Sequence, residues 1–137
     1  MSVISRIKPE WALRVGLGLM YLYSGFDLFY NPEHWYGFVP KWISRTVQAD
    51  IFLRAQGVGE LVIGLLFLAW FAGRRGVFIA SGFAALEMFL ILISVGVDPI
   101  TFRDIGLLGA AAALFLLNFN AKSQFRNQPD SLKTRRL

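Results

Sequence analysis

The chain has 137 residues, of which 55% are hydrophobic, 15% aromatic and only 17% charged, and its formal net charge is +5. Such an apolar composition excludes a water-soluble domain of this length and predicts a protein of the lipid bilayer. There is no cysteine and a single histidine, His34. We therefore expect no disulfide, iron–sulfur cluster, bis-histidine haem or tetrahedral metal site in this chain.

Four apolar stretches follow one another along the chain. Each is long enough for one membrane crossing, because a helix needs roughly 20 residues to cover the ~30 Å hydrocarbon core. They occupy residues 11–30, 52–72, 76–97 and 101–118. The first follows Arg6 and Lys8, as the apolar part of a signal peptide would, but it is too long and has no small-residue cleavage site, so we expect it to be retained. The sequence predicts an all-α fold: a polytopic membrane protein whose single domain, residues 1–118, is a four-transmembrane-helix bundle.

The connection between the first two stretches, residues 31–51, is long and rich in aromatic residues. Pro40 can begin a short helix in which Trp42, Ile43 and Val47 form an apolar edge. Such a helix is stable at the level of the lipid headgroups. We predict an amphipathic external loop that is either an interfacial aromatic belt or a lid over a site near the outer leaflet. The connection at residues 97–99, by contrast, is predicted to be a tight turn.

The basic residues predict the orientation of the chain. They cluster before the first stretch, between the second and third, and after the fourth, and they are Arg6, Lys8, Arg74, Arg75, Lys122, Arg126, Lys133, Arg135 and Arg136. By the positive-inside rule these segments are cytoplasmic, so we expect both termini inside a prokaryotic plasma membrane. The polar tail, residues 119–137, has no periodicity and is predicted to be flexible. Its charge fits anionic lipid better than nucleic acid, which we do not expect as a partner.

Small residues form a seam on three of the stretches, and such seams let helices approach closely in lipid. At helical spacing the three faces are Arg14, Gly18, Tyr21 and Gly25; Gln56, Gly57, Glu60 and Gly64; and Gly106, Gly109, Ala110 and Ala113. We predict that all three faces are packed inside the bundle.

Six ionisable residues in the middle or outer half of the predicted membrane region form the candidate site. They are Asp27, Arg54, Glu60, Glu87, Arg103 and Asp104. A charge at such depth costs a few kcal/mol, so its side chain turns inward and pairs, or stays neutral. We predict that Glu60 and Glu87 form a polar pocket for a small ligand, shielded by Arg54 or Arg103 unless one carboxyl carries a proton. The alternative is a set of structural ion pairs, which suits Arg103 and Asp104 near the helix end.

Three segments, in order, resemble the DoxX-like family of four-helix membrane proteins. They are LRVGLGLMYLYSGFDLFYNPEHW, GVGELVIGLLFLAWFAGRRG and FRDIGLLGAAAALFLLN, and the resemblance covers residues 11–118. Position by position it falls on Arg14, Ser24, Gly25, Gly57, Glu60, Gly64, Arg103 and Asp104. One departure is Leu28, which stands where many members have a lysine.

The resemblance implies a link to membrane redox chemistry. Family members include the membrane subunit of a thiosulfate:quinone oxidoreductase and partners in complexes for thiol and oxidative-stress defence, whereas distant animal relatives escort other proteins. For this chain it implies a subunit of a quinone-linked oxidoreductase, without a covalently bound cofactor and with the donor chemistry on a membrane or periplasmic redox partner. A non-catalytic escort or scaffold and a small proton-coupled carrier stay open, as does a homo-oligomer.

Overall fold

The computed structural model describes residues 8–99 and 101–126, and over these ranges the chain is all-α. The helices, in chain order, are α1 (Pro9–Tyr30), α2 (Lys41–Ser44), α3 (Ala49–Leu68), α4 (Gly73–Val95) and α5 (Phe102–Arg126). Two 3₁₀ helices, Pro32–Phe38 and Trp70–Ala72, lie in the connections before α2 and after α3. The described residues contain no strand, which confirms the all-α prediction.

Three of these helices are long and apolar enough to cross a membrane: Ala49–Leu68, Gly73–Val95 and Phe102–Asn120. Only 28%, 28% and 22% of their most apolar segments are buried inside the protein, so each of these helices leaves apolar side chains exposed. Such surfaces indicate a membrane protein. Helix α1 has 22 residues and matches the first predicted stretch. Its mean hydropathy is lower because it carries Arg14 and Asp27, and it is not one of the three.

Helices α1 and α3 pack with their backbones in contact, through glycines at positions i and i+7 of each helix. A Cβ atom added to Gly57 would lie 2.8 Å from the carbonyl oxygen of Gly25, and one added to Gly64 would lie 3.0 Å from that of Gly18. A side chain at either position would collide with the neighbouring backbone, so glycine is what permits this approach. The seams predicted on the first and second stretches are confirmed.

Helices α4 and α5 pack through side chains instead. The rings of Phe78 and Phe115 stack with their centroids 4.5 Å apart, and Phe119 extends the stack. The seam predicted on the fourth stretch is wrong, because Gly106 and Gly109 are exposed and a Cβ added to either would meet no atom within 4 Å. Helix α5 therefore turns this small-residue face outward.

The packed face of α5 carries Ala111, Leu114 and Asn118. Ala111 and Leu114 belong to the buried core. The core comprises Leu17, Tyr21, Phe67, Val77, Ala80, Ala84, Met88, Ala111 and Leu114. In lipid both faces of a helix can be apolar, so a run of small and aliphatic residues does not by itself identify the packed one.

The turn between α4 and α5 is fixed by the side chains of Asp98 and Thr101. The Thr101 hydroxyl donates to the carbonyl oxygen of Gly96 at 2.8 Å, and its backbone N–H donates to the Asp98 carboxylate at 2.7 Å. Gly96 has a φ angle of +86°, which glycine adopts without strain. These contacts confirm the tight turn predicted at residues 97–99.

The helix ends differ from the predicted ones by a few residues. Helix α2 begins directly after Pro40, as predicted, whereas Arg74 and Arg75 lie in the first turn of α4 and not in a loop. Helix α5 continues to Arg126, beyond the end predicted at residue 118. The remainder of the predicted tail, 127–137, lies outside the described residues, as do residues 1–7.

Candidate functional site

A cavity of about 550 Å³ lies between the four longest helices and against the loop that joins α1 to α3. Most of its wall is made of aliphatic and aromatic side chains. The polar side chains that line it are Ser24, Gln56, Glu60, Glu87, Ser94, Arg103 and Asp104. An apolar volume with a few convergent polar groups is the usual composition of a small-molecule site.

Glu60 on α3 and Glu87 on α4 meet inside the cavity, joined by Gln56. The side-chain amide of Gln56 donates to the Glu87 carboxylate at 3.1 Å and to the Glu60 carboxylate at 3.4 Å. Gln56 and Glu60 are one turn apart on α3, so a single amide nitrogen links its own helix to α4. The two carboxyls that the sequence predicts at the centre of a pocket thus lie together.

Helix α1 adds two hydroxyl groups next to these carboxyls. The Ser24 hydroxyl donates a hydrogen bond to Glu60. The Tyr21 hydroxyl is fully buried near Glu87 and donates to the carbonyl oxygen of Ala84 at 3.3 Å. Three helices therefore contribute to one polar group within the apolar cavity. We call its cavity-lining members, Ser24, Gln56, Glu60 and Glu87, the carboxyl cluster.

The carboxyl cluster lacks a compensating cation within the described part of the chain. Neither Glu60 nor Glu87 forms an ion pair there, since the ion pairs of those residues lie elsewhere. The Oε2 atom of Glu87 is buried and accepts no well-aligned hydrogen bond among the same residues, although the Tyr21 hydroxyl lies close to this carboxyl. An unpartnered buried carboxylate oxygen is costly, so it marks a place where a proton or a donor group of a ligand would be stabilised.

Arg103 and Asp104 line the cavity at the start of α5, and the Arg103 Nε lies 3.6 Å from the Asp104 carboxylate. Ser94 lines the cavity near the end of α4, about 10 Å along the helix axis from Glu87. Because α5 runs back along α4, the Arg103–Asp104 pair lies at the level of Ser94. The predicted shielding of the carboxyls by Arg103 is therefore wrong, since its partner is Asp104.

Arg54 does not line the cavity. It is exposed, and its guanidinium donates to the carbonyl oxygen of Phe29 at 2.5 Å. Arg54 stands six positions before Glu60, which turns the two side chains about 120° apart around α3. The prediction that Arg54 shields Glu60 or Glu87 is therefore also wrong.

Asp27 lies outside the cavity as well and fixes the loop instead. Its carboxylate accepts hydrogen bonds from the Trp35 indole at 2.8 Å and from the Asn31 side-chain amide at 2.9 Å. Further along the loop, the Tyr36 hydroxyl donates to Asp50 at the start of α3. This hydrogen bond raises the pKa of Tyr36 above its ordinary value of 10.0, so the hydroxyl keeps its donor hydrogen well above neutral pH. The loop is tethered to both of the helices that it joins.

The loop forms part of the cavity wall. Trp35, Phe38, Pro40, Trp42 and Ile43 all line it. Trp42 is also 70% exposed, so its ring is presented to the surroundings of the protein as well. Of the two roles predicted for the loop, belt or lid, this position favours the lid.

Two hydrogen bonds of the site, from Gln56 to Glu87 and from Ser24 to Glu60, cannot be predicted from the sequence. Helical spacing places Gln56 on the face of Glu60, but nothing in the sequence shows that it reaches Glu87 on another helix. For Ser24 the sequence predicts only that a partner exists, since a hydroxyl inside an apolar stretch needs a hydrogen bond. The carboxylate that accepts its hydrogen bond, Glu60, is 36 positions away along the chain.

Comparisons with family models, curated proteins and solved structures found no match to this chain. Within 8–99 and 101–126, no group of three or more His, Cys, Asp or Glu side chains is placed to hold a metal ion. The functional proposal therefore depends on the cavity and the side chains that line it.

Proposed function

We propose that this chain is a DoxX-like membrane subunit of a redox-linked complex and that its cavity binds the head group of a quinone. The supporting observation is the pair of carboxyls, Glu60 and Glu87, held by one amide inside an apolar cavity. In this arrangement α1 is a fourth membrane crossing in a prokaryotic plasma membrane. Both termini lie in the cytoplasm and the loop lies at the outer leaflet.

The size and the wall of the cavity suit a quinone. Its volume of about 550 Å³ falls within the ~300–1,000 Å³ that is usual for small-molecule sites. The rings of Trp35, Phe38 and Phe52 line it and offer faces against which a planar ring can stack. A protonated carboxyl of the cluster can donate to a quinone carbonyl, and an ionised one can accept from a quinol hydroxyl.

The carboxyl cluster is suited to handling protons. Reduction of a quinone to its quinol takes up two electrons and two protons. Two carboxylates side by side in an apolar cavity repel each other, so the pair of Glu60 and Glu87 retains one proton that it can deliver to a bound quinone, and the second proton has to be taken up from water. Gln56 and Ser24 hold the carboxyls in position for that transfer.

The electrons would have to come from another protein. Without cysteine and with one histidine, this chain lacks the ligands for the common iron–sulfur and bis-histidine haem sites. We therefore place the electron donor on a membrane or periplasmic redox partner, with this subunit contributing the quinone site.

A purely structural role for the carboxyls is the main alternative, as in a scaffold or escort protein. That role would be served by ion pairs that fix the helices relative to each other. Glu60 and Glu87 have no such pair among the described residues, and they line a cavity large enough for a ligand. These two observations favour a binding role.

The substitution Glu60→Gln tests the proposal, because it keeps the size and hydrogen bonding of the side chain but removes its charge and its proton. We expect the variant to insert and fold normally and to bind a short-chain ubiquinone at least about tenfold more weakly, which corresponds to ~1.4 kcal/mol. Binding is measured in lipid nanodiscs by quenching of tryptophan fluorescence, since Trp35 and Trp42 line the cavity. Thermal unfolding is measured on the same preparation.

Glu33→Gln is the matched control, because Glu33 is exposed on the loop and does not line the cavity. It should bind ubiquinone like the wild type. If Glu60→Gln binds ubiquinone like the wild type, the carboxyl does not take part in binding and the site proposal fails, whatever the effect of the substitution on stability.

A further inference from the structure

We infer that the ligand of this cavity comes from the lipid phase and enters sideways, through a gap between α3 and α4 at the depth of the carboxyl cluster. The inference rests on the proposed function and narrows its ligand class. The ligand is an uncharged amphiphile with a small hydrogen-bonding head group, and its apolar remainder stays in the bilayer.

Small residues border the gap on α3. Ala55 and Gly59 both line the cavity and are both exposed on the outer surface. A Cβ atom added to Gly59 would meet no atom within 4 Å, whereas one added to Gly57 would lie 2.8 Å from a carbonyl oxygen of α1. Gly57 thus packs against a neighbouring helix, and Gly59 faces open space.

Large apolar side chains border the gap on α4. Phe83, Leu86 and Leu90 line the cavity, and yet they are 60%, 52% and 52% exposed. Side chains that both line the cavity and are half exposed stand where the wall between the cavity and the lipid is only one side chain thick. We call the five residues on the two sides of this opening, Ala55, Gly59, Phe83, Leu86 and Leu90, the rim.

The wall that α1 and α3 form is closed tightly. Helices α1 and α3 touch through their backbones at Gly25 and Gly57. Leu28 and Leu53, which line the cavity on these helices, are only 1% and 2% exposed. The loop covers the end that faces water and is held there by its hydrogen bonds to Asp27 and Asp50. At the same end the exposed side chains of Ser94 and Arg103 also line the cavity. A ligand that came from water would have to pass the loop or the charged pair of Arg103 and Asp104.

The rim leads directly to the carboxyl cluster. Gly59 precedes Glu60 in the chain and Leu86 precedes Glu87, so each side of the opening lies at the depth of a carboxyl. A head group that passes Gly59 therefore reaches both carboxyls without leaving the membrane. The rim has no polar side chain to replace the water around an ion, so an ionic head group would lose its hydration on entry, at a large cost. This selects an uncharged head group.

The substitution Gly59→Phe tests the entrance, because the structure has room for a Cβ atom at this position and the ring attached to it would occupy the gap. We expect the association of a short-chain ubiquinone in nanodiscs, followed by tryptophan quenching after rapid mixing, to slow by at least about tenfold or to be abolished. Gly109→Phe is the matched control, since Gly109 is exposed on α5 with no atom within 4 Å of its Cβ position, and it does not line the cavity. Association of the Gly59→Phe variant at the wild-type rate would overturn the inference.

A second measurement does not depend on the quinone. The chain has no cysteine, so Ser24→Cys places a single thiol in the cavity wall. In proteoliposomes, lipid-soluble benzyl methanethiosulfonate should label this thiol, and its water-soluble sulfonatoethyl counterpart should react much more slowly. Adding Gly59→Phe should slow the lipid-soluble reagent, and adding Gly109→Phe should not.

The two measurements separate the entrance from the identity of the ligand. If the wild type does not bind ubiquinone but Gly59→Phe still slows labelling by the lipid-soluble reagent, the quinone assignment fails and the lipid-side entrance stands. If the sulfonated reagent labels Ser24→Cys as fast as the lipid-soluble one, the cavity is open to water and the inference fails.

Discussion

Arg14 is a buried cation that binds backbone carbonyls and not a carboxylate. Its guanidinium donates to the carbonyl oxygens of Phe67 at 2.8 Å and Ala69 at 2.7 Å, and it lies 4.2 Å from the centre of the Trp11 ring. These carbonyls stand at the end of α3, where the helix dipole favours a positive charge. The Ala69 oxygen also accepts the backbone N–H of Ala72 at 3.3 Å. Arg14 therefore caps α3 from a neighbouring helix.

We predict that Arg14→Met, which keeps a long side chain but removes the charge and the donors, lowers the free energy of unfolding by roughly 2–3 kcal/mol. The loss arises because the two carbonyl oxygens at the end of α3 lose a charged hydrogen-bond donor. Thermal unfolding in detergent measures it. Arg54→Met is the control: Arg54 is exposed and makes a hydrogen bond to one carbonyl, so its loss should stay below about 1 kcal/mol. Equal losses would contradict the capping role.

Single residues also show how far the sequence predicts the site. Glu60 and Glu87 can be found because a carboxyl inside an apolar stretch is costly and therefore conspicuous. Asp27 is equally conspicuous, but its main partner, Trp35, lies in an irregular loop whose path the sequence does not predict. The partners of a buried polar group depend on which helix faces meet, and no local pattern contains that information.

Among the elements, the contact between α1 and α3 depends most strongly on residue size. A methyl group at Gly57 would lie 2.8 Å from the Gly25 oxygen and 3.0 Å from the backbone nitrogen of Phe29. Both are backbone atoms, which cannot move aside as a flexible side chain can. Any enlargement at this position has to push the helices apart.

We predict that Gly57→Ala lowers the free energy of unfolding by roughly 1–3 kcal/mol, the usual cost of overpacking. Gly16→Ala is the matched control, because Gly16 lies on α1, the other helix of this pair, but has no atom within 4 Å of its Cβ position. The control should be neutral or slightly stabilising, since alanine is the better helix former. Thermal unfolding of both variants decides, and a Gly57→Ala variant as stable as the wild type would mean that the helices are not in backbone contact.

The position of each helix along the chain is easier to predict than which of its faces packs against other helices. Apolar length alone locates both ends of α3 and α4 and the start of α5 to within a few residues, since each has to cover the hydrocarbon core. It does not predict the end of α5, because the helix continues to Arg126 beyond the apolar stretch. Which face of α5 packs against the other helices cannot be predicted in the same way. Gly106 and Gly109 suggest a packed seam, but lipid accepts an apolar face as readily as another helix does.

For the whole molecule, the basic residues provide a test of orientation. We predict that reporter fusions after Arg75 and after Asn118 give cytoplasmic signals and that a fusion near Lys41 gives an external signal. The physical reason is that clustered lysine and arginine residues are retained on the cytoplasmic side during insertion. The fusion near Lys41 serves as the internal control for the assay. Periplasmic activity from the fusion after Arg75 would contradict the proposed arrangement.

The close contact at Gly25 and Gly57 has a consequence for motion. It joins α1 and α3 into one stiff helical hairpin, and the stacked rings of Phe78 and Phe115 hold α4 against α5. Neither hairpin can widen internally without breaking its own contacts. A change in the width of the opening between α3 and α4 must therefore be a rotation of one hairpin against the other. The pivot is the short connection at residues 69–73, so an angular change of a few degrees there would alter access to the carboxyls while both hairpins move as rigid bodies.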